Sequence, residues 1–275
     1  MAWKTILFET RGHTACITLN RPEVLNSISI EMMRELKQCY QEVEENGDIW
    51  TLIVTGAGNK ALCTGADVNV IEGTYRNGQP TGIDMWSEPM LSSLRQWEVP
   101  QEATPPYLNM TKPVICAVNG VACGAGLDLI STSDIAIAAD HATFFDPHVS
   151  IGVVSAREMV RMARVLPTNV AMRMAIMGKH ERMNAERAYQ LGLITEIVTA
   201  GKLMERAWEI ADIVNLNAPL AVRGTRMAIR KGLSLPIYEA ELLAESYRMR
   251  CAQTEDALEG PAAFLEKRKP NWQAR

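Results

Sequence analysis

The chain has no excess of basic residues, no long apolar run and no pair of closely spaced cysteines. Its 275 residues include 28 Lys and Arg against 32 Asp and Glu, which gives a formal net charge of −4. This balance indicates no basic face, so we expect neither a nucleic-acid partner nor a membrane surface. No apolar stretch approaches the roughly 18 residues of a membrane span, and the start of the chain lacks the apolar core of a signal peptide.

The cysteines also lack the spacing of metal sites or disulfide frameworks. Six of them are spread along the chain without any Cys-x-x-Cys pair: Cys16, Cys39, Cys63, Cys116, Cys123 and Cys251. Such spacing is typical of reduced thiols in a cytoplasmic protein. The composition, 47% hydrophobic and 22% charged, is that of an ordinary globular protein. It predicts one large α/β domain, alone or with an appendage.

Residues 112–157 contain the richest local pattern. Residues 114–118 form a short apolar run, which predicts a strand buried on both faces. Asn119 and Gly120 end that strand, Gly124 and Gly126 allow close approach of another backbone, and a helix begins near Leu127. The start of a helix directs free N–H groups at whatever lies in the preceding turn. We therefore expect a ligand site here.

Hydrophobic periodicity predicts the remaining elements. The predicted strands are residues 5–9 and 15–19, paired as a hairpin, with 50–55 and 193–198. The predicted helices are 30–45, capped by Ser29, then 156–166, 169–177 and 184–191, with an almost wholly helical stretch from Leu203 to the end. Residues 85–97 have the pattern of a further helix inside a loop region. Trp86, Trp97 and Tyr107 of that region are candidates for the wall of an acyl pocket.

Two small-residue turns follow predicted parallel strands. One turn is Cys63-Thr64-Gly65-Ala66-Asp67 and the other is Cys123-Gly124-Ala125-Gly126. Ligands of open α/β sheets bind at the carboxyl ends of the strands. If the two turns meet there, their N–H groups can hold one oxygen as an oxyanion hole.

The chain resembles the crotonase (enoyl-CoA hydratase/isomerase) superfamily over nearly its whole length. The resemblance rests on I-T-L-N-R-P-E-V-L-N-S, T-G-A-D-V, K-P-V-I-C-A-V-N-G-V-A-C-G-A-G-L-D-L, A-Y-Q-L-G-L-I-T-E-I-V and the ending F-L-E-K-R-K-P-N-W. It implies an α/β fold in which a spiral of ββα units (residues 1–199) precedes a C-terminal helical trimerisation region (residues 200–275). It also implies a homotrimer or homohexamer, an acyl-coenzyme A substrate of lipid metabolism, and no metal or separate cofactor.

The resemblance assigns roles to individual residues. The N–H groups of Ala66 and Ala125 would form the oxyanion hole for the thioester carbonyl. Asp128 and His148 would be catalytic. The coenzyme A site would be formed by Val24, Leu25, Asn26, Ala66 and Asp67, with Phe264 and Lys267 from a neighbouring subunit.

Asp128 and His148 stand where typical hydratases of this superfamily carry two glutamates. Because Asp128 is shorter than glutamate and His148 is an imidazole, ordinary hydration of straight-chain enoyl thioesters is in question. Two assignments of the proton donor and acceptor remain open. Either His148 takes a proton from water, or Asp128 is the base and His148 returns the proton, as in a double-bond shift. Asp128 also resembles dienoyl-CoA isomerases, but the further acid of those enzymes falls at Ala156.

Three functional classes therefore remain. The first is an enzyme of the hydratase type, or an isomerase or ring-opening hydrolase acting on a cyclic or bulky acyl-CoA. The second is a dinucleotide enzyme, disfavoured because Leu129 occupies the third glycine position of the phosphate-binding pattern. The third is a coenzyme A-binding protein without catalytic activity. A nucleophilic Cys123 acting with His148 is a minor alternative within the first class.

Overall fold

The computed structural model describes residues 3–67 and 110–275, together with the backbone of residues 75–76 and 79–80. The strands are β1 (Ile6–Arg11), β2 (Thr14–Leu19), β3 (Thr51–Gly56), β4 (Ala61–Cys63), β5 (Tyr75–Arg76), β6 (Gln79–Pro80), β7 (Val114–Val118), β8 (Val121–Cys123), β9 (Ile135–Ala139), β10 (Thr143–Phe145), β11 (Met183–Asn184) and β12 (Glu196–Val198). The helices are α1 (Ile30–Glu45), α2 (Ala125–Thr132), α3 (Arg157–Val165), α4 (Thr168–Met177), α5 (Ala185–Gln190), α6 (Leu203–Asn215), α7 (Pro219–Gly232), α8 (Ile237–Cys251) and α9 (Glu255–Leu265).

The strands form two main sheets joined by a repeated connection. The larger sheet has the order β1-β2-β3-β7-β9-β12 and is parallel apart from the β1–β2 hairpin. The smaller sheet has the order β11-β10-β8-β4, in which β4, β8 and β10 are parallel. Strands β3, β7 and β9 of the larger sheet each lead directly into β4, β8 and β10 of the smaller one. This repetition is the expected spiral of ββ and helical units, which is confirmed.

The sequence Asn119-Gly120 makes the connection between the two sheets. The side-chain amide of Asn119 donates to the carbonyl of Gly58 at 2.8 Å and to that of Ala61 at 3.0 Å. A Cβ atom built on Gly120 would lie 2.2 Å from the carbonyl oxygen of Lys60. Glycine is therefore required where the two connections pass, and the predicted end of the β7 strand is explained.

Both faces of the larger sheet are buried. Residues of α1 and most other elements cover one face, in a core that includes Leu36, Tyr40 and Val54. On the other face, Ala207 and Ala211 of α6 pack against the inner strands. The continuous apolar run of β7 is buried over its whole length, as the sequence predicts.

The predicted ends of α1 agree with the structure, and local interactions explain them. The hydroxyl of Ser29 accepts a hydrogen bond from the N–H of Met32 at 3.1 Å, which satisfies a free donor of the first turn. At the other end, the buried ammonium group of Lys112 donates to the carbonyls of Val43 and Asn46. A cation at a helix C-terminus also interacts favourably with the helix dipole.

The C-terminal region begins with α6, which belongs to the core, and continues with α7 and α8, which pack on each other. No residue of α8 is buried. The prediction of an almost wholly helical end is correct except for the last ten residues. These return along the surface, where the indole N–H of Trp272 donates to the carbonyl of Leu216 at 2.9 Å.

The short strands were the least predictable elements. β4 and β8 have three residues each, too few to show alternation, and the sequence predicts only turns at these positions. The predicted helix at 85–97 and the predicted pocket residues Trp86, Trp97 and Tyr107 lie outside the described residues. Across the described ranges, no helix is long and apolar enough to span a membrane.

Candidate active site

The two small-residue turns meet, which is the condition that the sequence left open. They follow β4 and β8, neighbouring parallel strands whose carboxyl ends lie at one edge. A Cβ atom built on Gly65 would lie 3.7 Å from the Cα atom of Gly124 and 3.8 Å from the nitrogen of Ala125. One built on Gly126 would lie 2.4 Å from the carbonyl oxygen of Cys63. The absence of a side chain at Gly126 is what lets this turn approach the end of β4.

The N–H groups of Ala66 and Ala125 have the setting that an oxyanion hole needs. Ile28 bridges to this turn by donating to the carbonyl of Gly65 at 2.8 Å and accepting from the N–H of Asp67 at 3.0 Å. Since alternate residues of an extended segment point in opposite directions, the N–H of Ala66 faces away from Ile28. Ala125 is the first residue of α2, where the helix supplies no acceptor. Neither N–H donates a hydrogen bond to any described residue.

His148 lies beside this pair of turns and is held by Asp146. Its Nδ1 atom is 2.6 Å from an oxygen of the Asp146 carboxylate, and its main-chain N–H donates to the same oxygen at 2.9 Å. The hydroxyl of Ser155 donates to the other carboxylate oxygen. A Cβ atom built on Gly124 would lie 3.7 Å from Cε1 of His148. With Nδ1 directed at a carboxylate that can only accept, Nε2 is the ring nitrogen available to a ligand.

The surroundings of His148 favour its protonated form. The hydrogen bond with Asp146 raises the pKa of His148, burial opposes this, and the charges of Asp146, Glu158 and Asp128 raise it further. Burial raises the pKa of Asp146, but hydrogen bonds from His148 and Ser155 outweigh that effect and keep its pKa below the usual range. Asp146 is therefore an ionised, fully buried carboxylate that stabilises an imidazolium.

Asp128 is buried in the first turn of α2, as predicted, but it has a partner of its own. Its side chain is 2% exposed and accepts from a guanidinium nitrogen of Arg161 at 2.8 Å. The charge of Asp128 still reaches the site, because it raises the pKa of both His148 and Glu158. The structure thus brings Asp128 into the neighbourhood of His148 and gives one of its oxygens to Arg161.

Glu158 is a further acid of this site that the sequence analysis missed. It is the second residue of α3 and is 9% exposed. Burial raises the pKa of Glu158, and the charge of Asp128 raises it further, while its own main-chain N–H, His148 and Arg157 lower it. The dienoyl-CoA isomerase pattern places its further acid at Ala156, two residues before Glu158. The available signal was an acid in the first turn of a predicted helix, beside the buried apolar positions of that helix.

The predicted coenzyme A residues divide into an exposed and a buried set. Val24 and Leu25 are 40% and 39% exposed, and Leu25 has a φ of 55°. Asn26 is buried, and its side chain donates to the carbonyls of Ala57 and Ala61 and accepts from the N–H of Arg21. The side chain of Asn26 therefore holds the turn together.

Of the other predicted coenzyme A residues, Asp67 belongs to the turn itself, whereas Phe264 and Lys267 lie in the C-terminal region. The carboxylate of Asp67 is 2.7 Å from a guanidinium nitrogen of Arg21. A cavity of about 150 Å³ lies beside the turn, lined by Pro22, Leu25, Asn26 and residues 57–61. Phe264 is 83% exposed near the end of α9, and Lys267 is exposed with a φ of 54°. Within the described chain, no hydrogen bond or ion pair links either of them to the turns.

Cys123 does not have the properties of a nucleophile. It is 3% exposed, and burial raises the pKa of its thiol to about 12. The reactive form of a cysteine is the thiolate, which this environment disfavours. The thiol is therefore a packing group beside the turn.

The chain is similar to known proteins over almost its whole length. A family model described as enoyl-CoA hydratase/isomerase matches residues 9–275. The crystal structure of an enoyl-CoA hydratase/isomerase from Mycobacterium paratuberculosis is 57% identical, with a TM-score of 0.86 and full coverage of both chains. The enoyl-CoA hydratase EchA19 of Mycobacterium tuberculosis is 32% identical over 98% of this chain and 96% of its own length. The carnitinyl-CoA dehydratase of Proteus mirabilis is also 32% identical, over 97% of each chain.

These matches extend along almost the entire sequence and include both glycine turns and the spiral that brings them together. The chain therefore belongs to the enoyl-CoA hydratase/isomerase family of the crotonase superfamily.

Proposed function

We propose that the protein adds water reversibly to the double bond of an α,β-unsaturated acyl-CoA thioester. The observation that carries this proposal is the position of His148, which is oriented by Asp146 and lies against the turn that contains Ala125. The thioester carbonyl oxygen accepts hydrogen bonds from the N–H groups of Ala66 and Ala125. Each such donor contributes about 3 kcal/mol to the stability of a transition state with charge on that oxygen.

The imidazolium of His148 supplies the proton for the α-carbon. When water adds to the β-carbon, the electrons of the double bond move toward the carbonyl and form an enolate. The proton on Nε2 of His148 then goes to the α-carbon, while a carboxylate of the site takes a proton from the attacking water. Asp146 keeps the imidazole protonated and oriented, and the charge of Asp128 adds to this effect.

Two relatives support hydration over the alternatives. Both EchA19 and the carnitinyl-CoA dehydratase carry names that describe addition or removal of water. An isomerase or ring-opening hydrolase would use the same oxyanion hole, because all three reactions pass through a thioester enolate. The nature of the acyl group decides between them.

We also propose that the coenzyme A site is completed by a neighbouring subunit. The apolar side chains of the C-terminal helices are unusually open to solvent in the single chain, including Ile229, Tyr238, Leu242 and Phe264. A homotrimer or homohexamer would cover such residues. Val24 and Leu25 of one subunit, with Phe264 and Lys267 of another, would then contact the coenzyme A.

The experiment is hydration of a panel of enoyl-CoA thioesters with straight, branched and cyclic acyl groups. Loss of the conjugated thioester is followed by absorbance, and the products are separated by mass and by comparison with isomer standards. Wild-type protein is compared with His148→Gln and with the control His141→Gln, which changes an exposed histidine that bonds the carbonyl of Asn59. We expect His148→Gln to lose at least about 10²-fold in kcat.

Two results would contradict the proposal. Coenzyme A binding without any turnover across the panel would favour the non-catalytic alternative. Formation of an isomer or a ring-opened acid as the main product would replace hydration by that reaction.

A further inference from the structure

We propose that Glu158, rather than Asp128, is the carboxylate that takes the proton from the attacking water, an inference that rests on the proposed hydration. Residues 155–161 carry three polar side chains toward the same site. Ser155 contacts Asp146, the partner of His148, and Arg161 contacts Asp128. Glu158 lies midway between these two fixed points in the chain.

Helix geometry places Glu158 on the side of the site. Residues three apart on a helix share a face, so Glu158 and Arg161 project from the same face of α3. That face packs on α2, where Arg161 reaches Asp128. Glu158 is therefore next to the carboxylate that the family pattern marks as catalytic, and it lies on the side from which Ser155 reaches Asp146.

The carboxylates of Asp128 and Glu158 differ in the groups that contact them. Asp128 is held by Arg161, which donates to one of its carboxylate oxygens at 2.8 Å. Glu158 forms no ion pair with a Lys, Arg or His in the described ranges. The charged groups near Glu158 are Asp128 from α2, His148 from the preceding turn and Arg157 from its own helix. Burial and Asp128 raise the pKa of Glu158, which makes its ionised form a stronger base.

Glu158 and His148 then each carry out one of the two proton transfers of the reaction. An O–H bond of water breaks and its proton goes to the Glu158 carboxylate, while the water oxygen forms a bond to the β-carbon. The electron pair of the double bond forms the enolate, and its α-carbon takes the proton from Nε2 of His148. After product release, the protonated Glu158 returns one proton to the neutral imidazole through solvent, and both groups regain their starting state.

Glu158→Gln separates this proposal from hydration itself, because hydration and α-proton exchange need different groups. Exchange of α-protons of a saturated acyl-CoA with deuterated water requires the oxyanion hole and His148, but no base for an attacking water. We therefore expect Glu158→Gln to lose about 10²- to 10⁴-fold in hydration kcat and to keep α-proton exchange and KM within a few-fold of wild type. The acidic limb of its residual pH profile should also disappear. His148→Gln should lose both reactions.

Controls address folding and charge. Glu239→Gln changes an exposed glutamate of α8 and should leave hydration unchanged. Asp128→Asn should keep more hydration activity than Glu158→Gln. If Glu158→Gln does not fold, Glu158→Asp decides, because withdrawing the carboxylate by about 1 Å should still lower hydration by roughly 10²-fold while sparing exchange.

The outcomes distinguish the two proposals. If wild type neither hydrates nor exchanges, both proposals fail. If wild type hydrates and Glu158→Gln hydrates nearly as fast, the role of Glu158 is overturned while the proposed function stands. If Glu158→Gln loses hydration and exchange together, Glu158 supports the structure of the site and does not act as a separate base.

Discussion

Arg161 donates to Asp128 across 2.8 Å, and the two side chains of this pair differ sharply in exposure, with 24% for the arginine and 2% for the aspartate. The carboxylate is thus buried beside the proposed oxyanion hole, and its positive partner comes from the next helix. Removing the arginine would take a charge-assisted hydrogen bond away from a carboxylate held in the interior. The pair therefore fixes α3 against α2 and sets the position of everything that α3 carries into the site.

Arg161→Gln should destabilise the protein through this buried charge. Breaking a buried pair from one side typically costs 3–5 kcal/mol, and we expect about 3 kcal/mol here because the arginine is partly exposed. The matched control is Arg173→Gln, which breaks the exposed pair with Glu181 and should leave the stability close to that of wild type. Urea denaturation of both variants measures the difference. Equal losses would mean that the Asp128 pair contributes no more than a surface contact.

Asp146→Asn should move the alkaline limb of the pH profile. Hydration needs the protonated form of His148, so the rate falls as pH rises through the pKa of that residue. Asp146 raises this pKa above its usual 6.5, and its removal should shift the limb to lower pH. The plateau rate should also fall, because the imidazole loses the carboxylate that fixes its orientation. The check is kcat/KM from pH 5 to 9. If the acidic limb moved to lower pH and the alkaline limb stayed in place, His148 would instead be the base.

Gly126→Ala should disturb the meeting of the two turns. Its added Cβ would lie 2.4 Å from the carbonyl oxygen of Cys63, a main-chain atom that cannot rotate away. We expect a loss of about 1 to 3 kcal/mol in stability from overpacking, together with lower kcat. Gly47→Ala serves as the control, since an added Cβ there meets no described atom within 4 Å. Thermal unfolding and the hydration assay test both variants, and wild-type activity in Gly126→Ala would show that the turns tolerate displacement.

Leu242→Asp should weaken the proposed assembly. Leu242 is 54% exposed on α8, and Tyr238 and Met249 of the same helix are also more than half exposed. A carboxylate buried in an interface without a partner is strongly unfavourable. Light scattering should therefore detect smaller species for Leu242→Asp than for wild type or Glu239→Gln. An unchanged mass for the variant would place the interface elsewhere.

Much of the fold could be predicted because long elements carry strong periodic signals. Helix α1 agrees at both ends, since Ser29 and Asn46-Gly47 mark them in the sequence, and the buried strand β7 agrees residue for residue. The three-residue strands of the smaller sheet could not be predicted, because their pairing depends on contacts distant in sequence. Local patterns carry no information about such contacts.

The turns of the site could be predicted from local sequence, whereas the partners of its polar side chains could not, because they depend on how the helices pack. The two small-residue turns could be located from the sequence, and the structure brings them together. The side-chain partners of the polar residues could not be deduced, because Asp128 meets Arg161 and His148 meets Asp146 only once the helices have packed. Glu158 was missed for the same reason, as its proximity to His148 depends on how α3 lies against α2.

The proposed oxyanion hole consists of the main-chain N–H groups of Ala66 and Ala125. Every residue type except proline supplies such a group. The proposed proton-transfer groups are instead side chains, on the turn of His148 and on the first turn of α3. Substitutions can therefore replace the acidic and basic side chains while the main-chain donors continue to bind the thioester carbonyl. An arrangement of this kind allows a lineage to change the reaction it catalyses without first losing its affinity for the coenzyme A ester, so that new chemistry evolves from a protein that already binds its substrate.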